Sequence, residues 1–239
     1  MVYIDKIFFD ICRDFAQMLN IIARLISWIM HPLFIIGYVL AFRILANPYS
    51  FGFAGAKTLG LVVISVLSIA IMFPMISIAM MKALGFVKSF EMHDRKERIG
   101  PLITTGLFYM WLYVNIRNND HIPGVLSSFV LGCTIAIFIA LLINSFTKVS
   151  LHTIAAGGLV AGMLVFVFNY TYGYTDIPVS LLDTQLRVSD RMAVMATFFL
   201  AGCVGFARLY LRAHREDEIY GGYIIGILSQ MVAFRLFFH

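Results

Sequence analysis

The sequence predicts an all-helical, multi-pass membrane bundle of about six to seven spans, led by an amphipathic N-terminal helix. Three observations predict it. Hydrophobic residues make up 61% of 239 positions and charged residues only 13%, and the mean hydropathy is +0.88, far from a soluble average. Apolar stretches recur that approach or exceed the roughly 20 residues a helix needs to cross a bilayer. Alternating segments separated by turns, the mark of an outer-membrane barrel, are missing. Residues 1–239 read as a single membrane domain.

Residues 4 to 20 place Ile4, Ile7, Phe8, Ile11, Phe15, Met18 and Leu19 at helical spacing, with Asp5, Lys6, Asp10, Arg13, Asp14 and Gln17 largely opposite. Two structures suit that pattern: an interfacial amphipathic helix over 1–20, or a soluble extension of the first spanning helix. The charges also break the apolar core that a cleaved signal peptide requires, so the first membrane segment is expected to be retained. Ile21 to Leu45 gives the first span, with a kink or entry point at His31-Pro32. Asn47-Pro48-Tyr49-Ser50 is a turn.

The second span runs from about Thr58 to Leu84 and contains Pro74. A polar loop, Gly85 to Gly100, carries Lys88, Glu91, His93, Asp94, Arg95, Lys96, Glu97 and Arg98. The third apolar piece, Pro101 to Ile116, is short for a span. Further spans are expected over Pro123 to Phe146, Val149 to Tyr172, Met192 to Leu211 and Ile219 to the end. If the third piece crosses, successive crossings return Lys148 to His152 and Arg208 to Glu218 to the side of the 85–100 loop. Three polar clusters then share one face.

Nucleic-acid binding has no motif behind it. The net charge of +5 is spread over loops, which suits anionic lipid headgroups or phosphate ligands. Cys12, Cys133 and Cys203 are odd in number and lie in apolar surroundings, so they read as small buried side chains rather than a disulfide framework or a zinc site. Basic residues favour a cytoplasmic cluster side only while the candidate phosphate ligands are counted, and without them the two sides balance.

The densest charge cluster is Ala207 to Gly222, ARLYLRAHREDEIYGG. Helical spacing puts His214 and Glu218 on one face, one turn apart, so that the carboxylate can hold one imidazole nitrogen and aim the other. Arg208-x5-His214-x3-Glu218 resembles the third signature of the type 2 phosphatidic acid phosphatase superfamily, in which Ser-Arg is followed after five residues by His and after three more by Asp. Ala207 stands for the serine and Glu218 for the aspartate. Val149-Ser150-Leu151-His152 is similar to the second signature, Pro-Ser-Gly-His, without its proline and glycine. Arg95 to Pro101 occupies the place of the first signature, with Arg98 matching the family arginine and Lys96 or Arg95 its lysine. The resemblance covers roughly residues 85 to 230.

That resemblance implies a lipid phosphatase of a bacterial inner membrane, working on a phosphomonoester or pyrophosphate of a lipid without metal or other cofactor. His214 would attack phosphorus and form a phosphohistidine, with Glu218 fixing its tautomer. His152 would protonate the leaving oxygen, and Arg98, Arg208, Ser150, Lys96 and Lys148 would hold the phosphate. A lipid phosphotransferase and a catalytically inactive protein binding an anionic lipid share these features. A transporter is disfavoured because nearly all ionisable groups fall in expected loops.

Structural roles stand beside the functional ones. Glu216, Asp217 and Glu218 suit a helix start, Asp217 is a second candidate partner for His214, and Ser150 is a candidate helix cap. Lys148 and the arginines are placed to anchor at headgroup level. His31, His93, His121 and His239 are assigned to interface or loop roles, having no partner at informative spacing. Gly157, Gly158 and Gly162, with Gly221, Gly222 and Gly226, provide small-residue spacings that would bring the two histidine-bearing helices together if they pack on each other.

Overall fold

The computed structural model describes residues 2–51, 56–90, 92, 94–170, 173–179 and 184–238. His93, Glu91 and His239 lie outside the described residues, as do the side chains of positions 2–10 that begin the expected amphipathic pattern. The chain is a helical bundle of α1 (Val2–Ile29), α2 (Ile35–Ala46), α3 (Ala56–Leu67), α4 (Phe73–Ala83), α5 (Arg95–Ile116), α6 (Gly124–Asn144), α7 (Leu151–Tyr170), α8 (Asp190–Tyr210) and α9 (Glu216–Phe238). Six helices among the described residues are long and apolar enough to cross a membrane, or seven counting the pair Ile11–Ile29 and Pro32–Ala46, bent by 41°.

The bend has a local cause. Pro32 has no N–H to continue the ladder and pushes His31 into extended backbone, φ −65° and ψ 137°. His31 Nδ1 then accepts from the Leu33 N–H at 3.4 Å and caps the short turn Pro32–Phe34. Upstream, α1 runs unbroken through residue 20, as an extension of the first spanning helix would and a separate interfacial helix over 1–20 would not. Pro74 follows a π-helical turn, Ser68–Met72, which joins α3 to α4 as one apolar rod, Lys57–Ala83, and widens the ladder where a donor is missing.

Two differences from the sequence reading matter. The third span is not short: α5 starts at Arg95, because Asp94 Oδ1 accepts from the Lys96 N–H at 3.2 Å and caps the helix six residues before Pro101. Arg98 therefore sits on the first turns of a helix and not in a loop. Between α7 and α8 an antiparallel hairpin, β1 (Tyr174–Val179) and β2 (Thr184–Ser189), pairs Tyr174 with Ser189 and Val179 with Thr184, where no strand is expected. Pro178 is tolerated because the ribbon has only two strands, both edges.

Packing is densest between α7 and α9, then between α6 and α9 and between α5 and α6. The α7–α9 seam is made by missing side chains. A Cβ on Gly226 would stand 2.0 Å from Ile154 O, one on Gly157 2.6 Å from Tyr223 O, and one on Gly222 2.1 Å from Thr153 Oγ1. The two backbones thus touch, as small residues allow in lipid. Gly221 meets nothing within 4 Å and takes no part. Phe129, Phe166, Leu126 and Val130 fill the core beside the seam.

Candidate active site

The three polar clusters meet at one end of the bundle, tied by hydrogen bonds between distant residues. Arg95 Nη1 donates to Phe146 O, and Asn144 Nδ2 returns a bond to Arg95 O at 2.9 Å. Arg98 Nη1 donates to Val149 O at 3.1 Å and its Nε to Met92 O at 2.9 Å. The Ser150 N–H donates to Glu218 O at 3.3 Å. These bonds give the starts of α5, α7 and α9 a common level.

Arg98, His152, Arg208 and His214 line a single cavity of about 160 Å³. Arg98 is buried although charged, so its guanidinium is positioned by the two carbonyls it bonds and not by solvent. His214 Nδ1 lies 2.6 Å from Glu218 Oε2, with only 2% of the histidine side chain and 13% of the glutamate side chain exposed. Asp217 points elsewhere and pairs with Arg215 at 3.1 Å. Glu218 Oε2 also accepts from the Arg215 N–H at 3.4 Å, which steadies the carboxylate.

Burial pushes His214 down to about 4, against the upward pull of the Glu218 hydrogen bond and with a further downward push from Arg208 and Arg98. At neutral pH the ring is therefore uncharged. With its Nδ1–H donated to Glu218, the Nε2 lone pair is available to an electrophile.

His152 is held on the other side of the cavity, its Nε2 3.0 Å from Ser27 O. A carbonyl can only accept, so this nitrogen carries a proton and Nδ1 is left to exchange one. Ser150 Oγ is fully buried and has no hydrogen-bond partner among the described residues, so it does not cap α7. Lys96 is exposed and Lys148 half-buried, and neither lines the cavity. Arg95 is spent on Phe146 O.

Sequence reasoning missed His31, Ser27, Tyr109 and Gln230. His31 lines the same cavity, with its ring 5.4 Å from that of His152 and nearly perpendicular to it. The pairing spans more than a hundred positions, so no spacing rule could have found it; only the His31-Pro32 break marked the place. Cys133 also lines the cavity, while Cys12 is exposed rather than buried.

Below the charged mouth the cavity is apolar. It passes Leu102, Ala136, Ala140, Ile154, Ala155 and Gly158 and ends near Tyr109, Cys133 and Gln230. Tyr109 lies eleven residues beyond Arg98 on α5, about 16 Å along the axis at 1.5 Å per residue. Gln230 Nε2 closes this end by donating to Phe129 O at 3.1 Å.

Both non-glycine residues with left-handed backbone among those described, Met92 at φ 47° and Arg212 at φ 49°, are in the loops at this end. Met92 lines the cavity and supplies the carbonyl that holds Arg98; Arg212 turns the chain from α8 into the segment carrying His214. Strain of this kind persists where surrounding bonds hold it, and it concentrates at functional sites. Among the described residues no three His, Cys, Asp or Glu side chains form a group able to hold a metal ion. No family model, curated protein or solved structure matches the chain.

Proposed function

We propose that this protein is an integral membrane phosphatase that removes phosphate from a lipid through a phosphohistidine. The observation that carries the reading is His214 bonded to Glu218 in a cavity shared with Arg98, Arg208 and His152. Neutral imidazole, fixed tautomer, paired guanidinium groups and a second histidine are the parts that phosphoryl transfer without a metal needs.

His214 Nε2 attacks phosphorus and the phosphorus–oxygen bond to the lipid breaks. The anionic phosphoryl group draws a second proton from water onto His152 at Nδ1, and the departing alkoxide takes that proton while Nε2–H stays on Ser27 O. Water, giving its proton to His152, then attacks the phosphohistidine and releases phosphate, restoring His214. Arg98 and Arg208 offset the charge on the equatorial oxygens, while Ser150, fully buried, does not line the cavity.

The apolar bore below the cations supports a lipid over a soluble substrate, since it gives a hydrocarbon chain a dry path between α5, α6, α7 and α9. The test is phosphate release by purified protein from a panel of lipid phosphates in chelator, beside His152→Ala and His214→Ala. Release that survives chelation and falls at least about 10³-fold in His214→Ala supports the reading. Normal turnover by His214→Ala removes it. No release from any lipid by folded protein that still binds vanadate would leave a lipid-phosphate binder.

A further inference from the structure

The bend between α1 and α2 brings a third histidine into the site from outside the stretch that carries the three motifs. His31 does two things there. Its Nδ1 accepts from the Leu33 N–H, and its ring lies edge-on to His152 while lining the cavity shared by Arg98, Arg208 and His214. The first contact determines the proton's position. A ring protonated at Nδ1 would set two donors against each other, so the neutral ring carries its proton on Nε2. Nε2–H is a donor that makes no hydrogen bond with any described residue.

A capping histidine needs only Nδ1, and a packing histidine needs neither nitrogen. Neither role uses the Nε2–H of a ring that shares its cavity with two guanidinium groups. Such a donor is free to meet an acceptor that enters the cavity. Arg98 and Arg208, which line the same cavity, favour an anion as the acceptor it meets. We propose that His31 binds the phosphoryl group directly, its Nε2–H donating to a non-bridging oxygen held between Arg98 and Arg208. Residues 27–34 are then the fourth wall of the site: Ser27 O orients His152 and His31 contacts the ligand.

This inference rests on the cavity holding a phosphoryl group, but it applies equally to a hydrolase and to a protein that only binds. The probe is orthophosphate, with orthovanadate as a second anion, added to the purified full-length chain in detergent. His31→Asn keeps a side-chain acceptor suited to capping the Pro32–Phe34 turn and loses the distant donor. It should fold and melt as the parent does, yet bind phosphate roughly tenfold or more weakly, as loss of a hydrogen bond to a charged group predicts. His31→Gln, which restores a donor further out, should recover part of the affinity. Independently of any variant, the ¹⁵Nε2 resonance of His31 in histidine-labelled protein should shift as phosphate is added.

Unchanged phosphate affinity in His31→Asn, or no shift of that resonance up to the highest phosphate concentration, overturns the proposal. A protein that moves the resonance but releases no phosphate from any lipid loses the hydrolase reading and keeps this one. A protein that turns over lipid phosphate with the same KM in His31→Asn keeps the hydrolase reading and loses this one.

Discussion

At the end of the bundle opposite the cavity, two of the described loops close on themselves. Asn47 O and Oδ1 accept from Ser50, Asn119 Oδ1 accepts from the His121 N–H, and Ile122 donates to Asn119 O. At the cavity end the corresponding loops bond each other, through Asn144 to Arg95, Arg98 to Val149 and Ser150 to Glu218. Local bonds turn a chain and leave neighbouring helices free to settle by side-chain packing. Bonds between loops set relative height, which a site made from three helix starts requires. The difference separates loops that connect from loops that build.

The sharpest way to break this contrast is to change one acceptor at each end. Glu218→Gln should lower phosphate release by about 10²–10⁴-fold with little effect on folding, because His214 loses the carboxylate that orients it and stabilises its cationic form. Asn119→Ala, which removes a local turn bond of similar length, should leave turnover within twofold. Equal losses would mean that both ends serve the same purpose.

A smaller effect is expected from backbone contacts. Gly226→Ala puts a methyl where Ile154 O lies 2.0 Å away and should cost about 1–3 kcal/mol, read as a lowered melting temperature in detergent, while turnover falls as His152 and His214 separate. Gly60→Ala, on α3, meets open space and should be neutral or slightly stabilising. A further effect concerns pH. Because His214 is lowered to about 4, the unfolded chain takes up a proton between about pH 6.5 and 4 that the folded protein refuses. Stability should fall as pH drops through that window and level off below it, and His214→Gln should flatten the slope.

Hydropathy and charge made the spans legible, since a bilayer crossing imposes length and apolarity on each segment separately. The pairing of His214 with Glu218 was legible from their closeness in the chain, although His214 stands in the loop before α9 and only Glu218 is on the helix, so the expected shared helix face is not what makes the bond. What was hidden depends on groups far apart or on opposing signals. Arg95 to Arg98 looked like loop because four charged residues mask a helix that Asp94 starts. The hairpin at 174–189 offered a weak alternation broken by Pro178. His31 reaches His152 only once α1 has bent and packed, and no local pattern records that.

The seam between α7 and α9 also bears on how the protein meets bilayers of different thickness. Helices accommodate mismatch by tilting or bending. Where Gly226 rests on Ile154 O there is no layer of side chains to compress, so α7, which bears His152, and α9, which follows His214, must lean as one piece. The α3–α4 rod, already loosened by its π-helical turn ahead of Pro74, is the compliant member. A thinner or thicker membrane would deform that rod first, and the spacing of the reacting groups would be insulated from lipid composition.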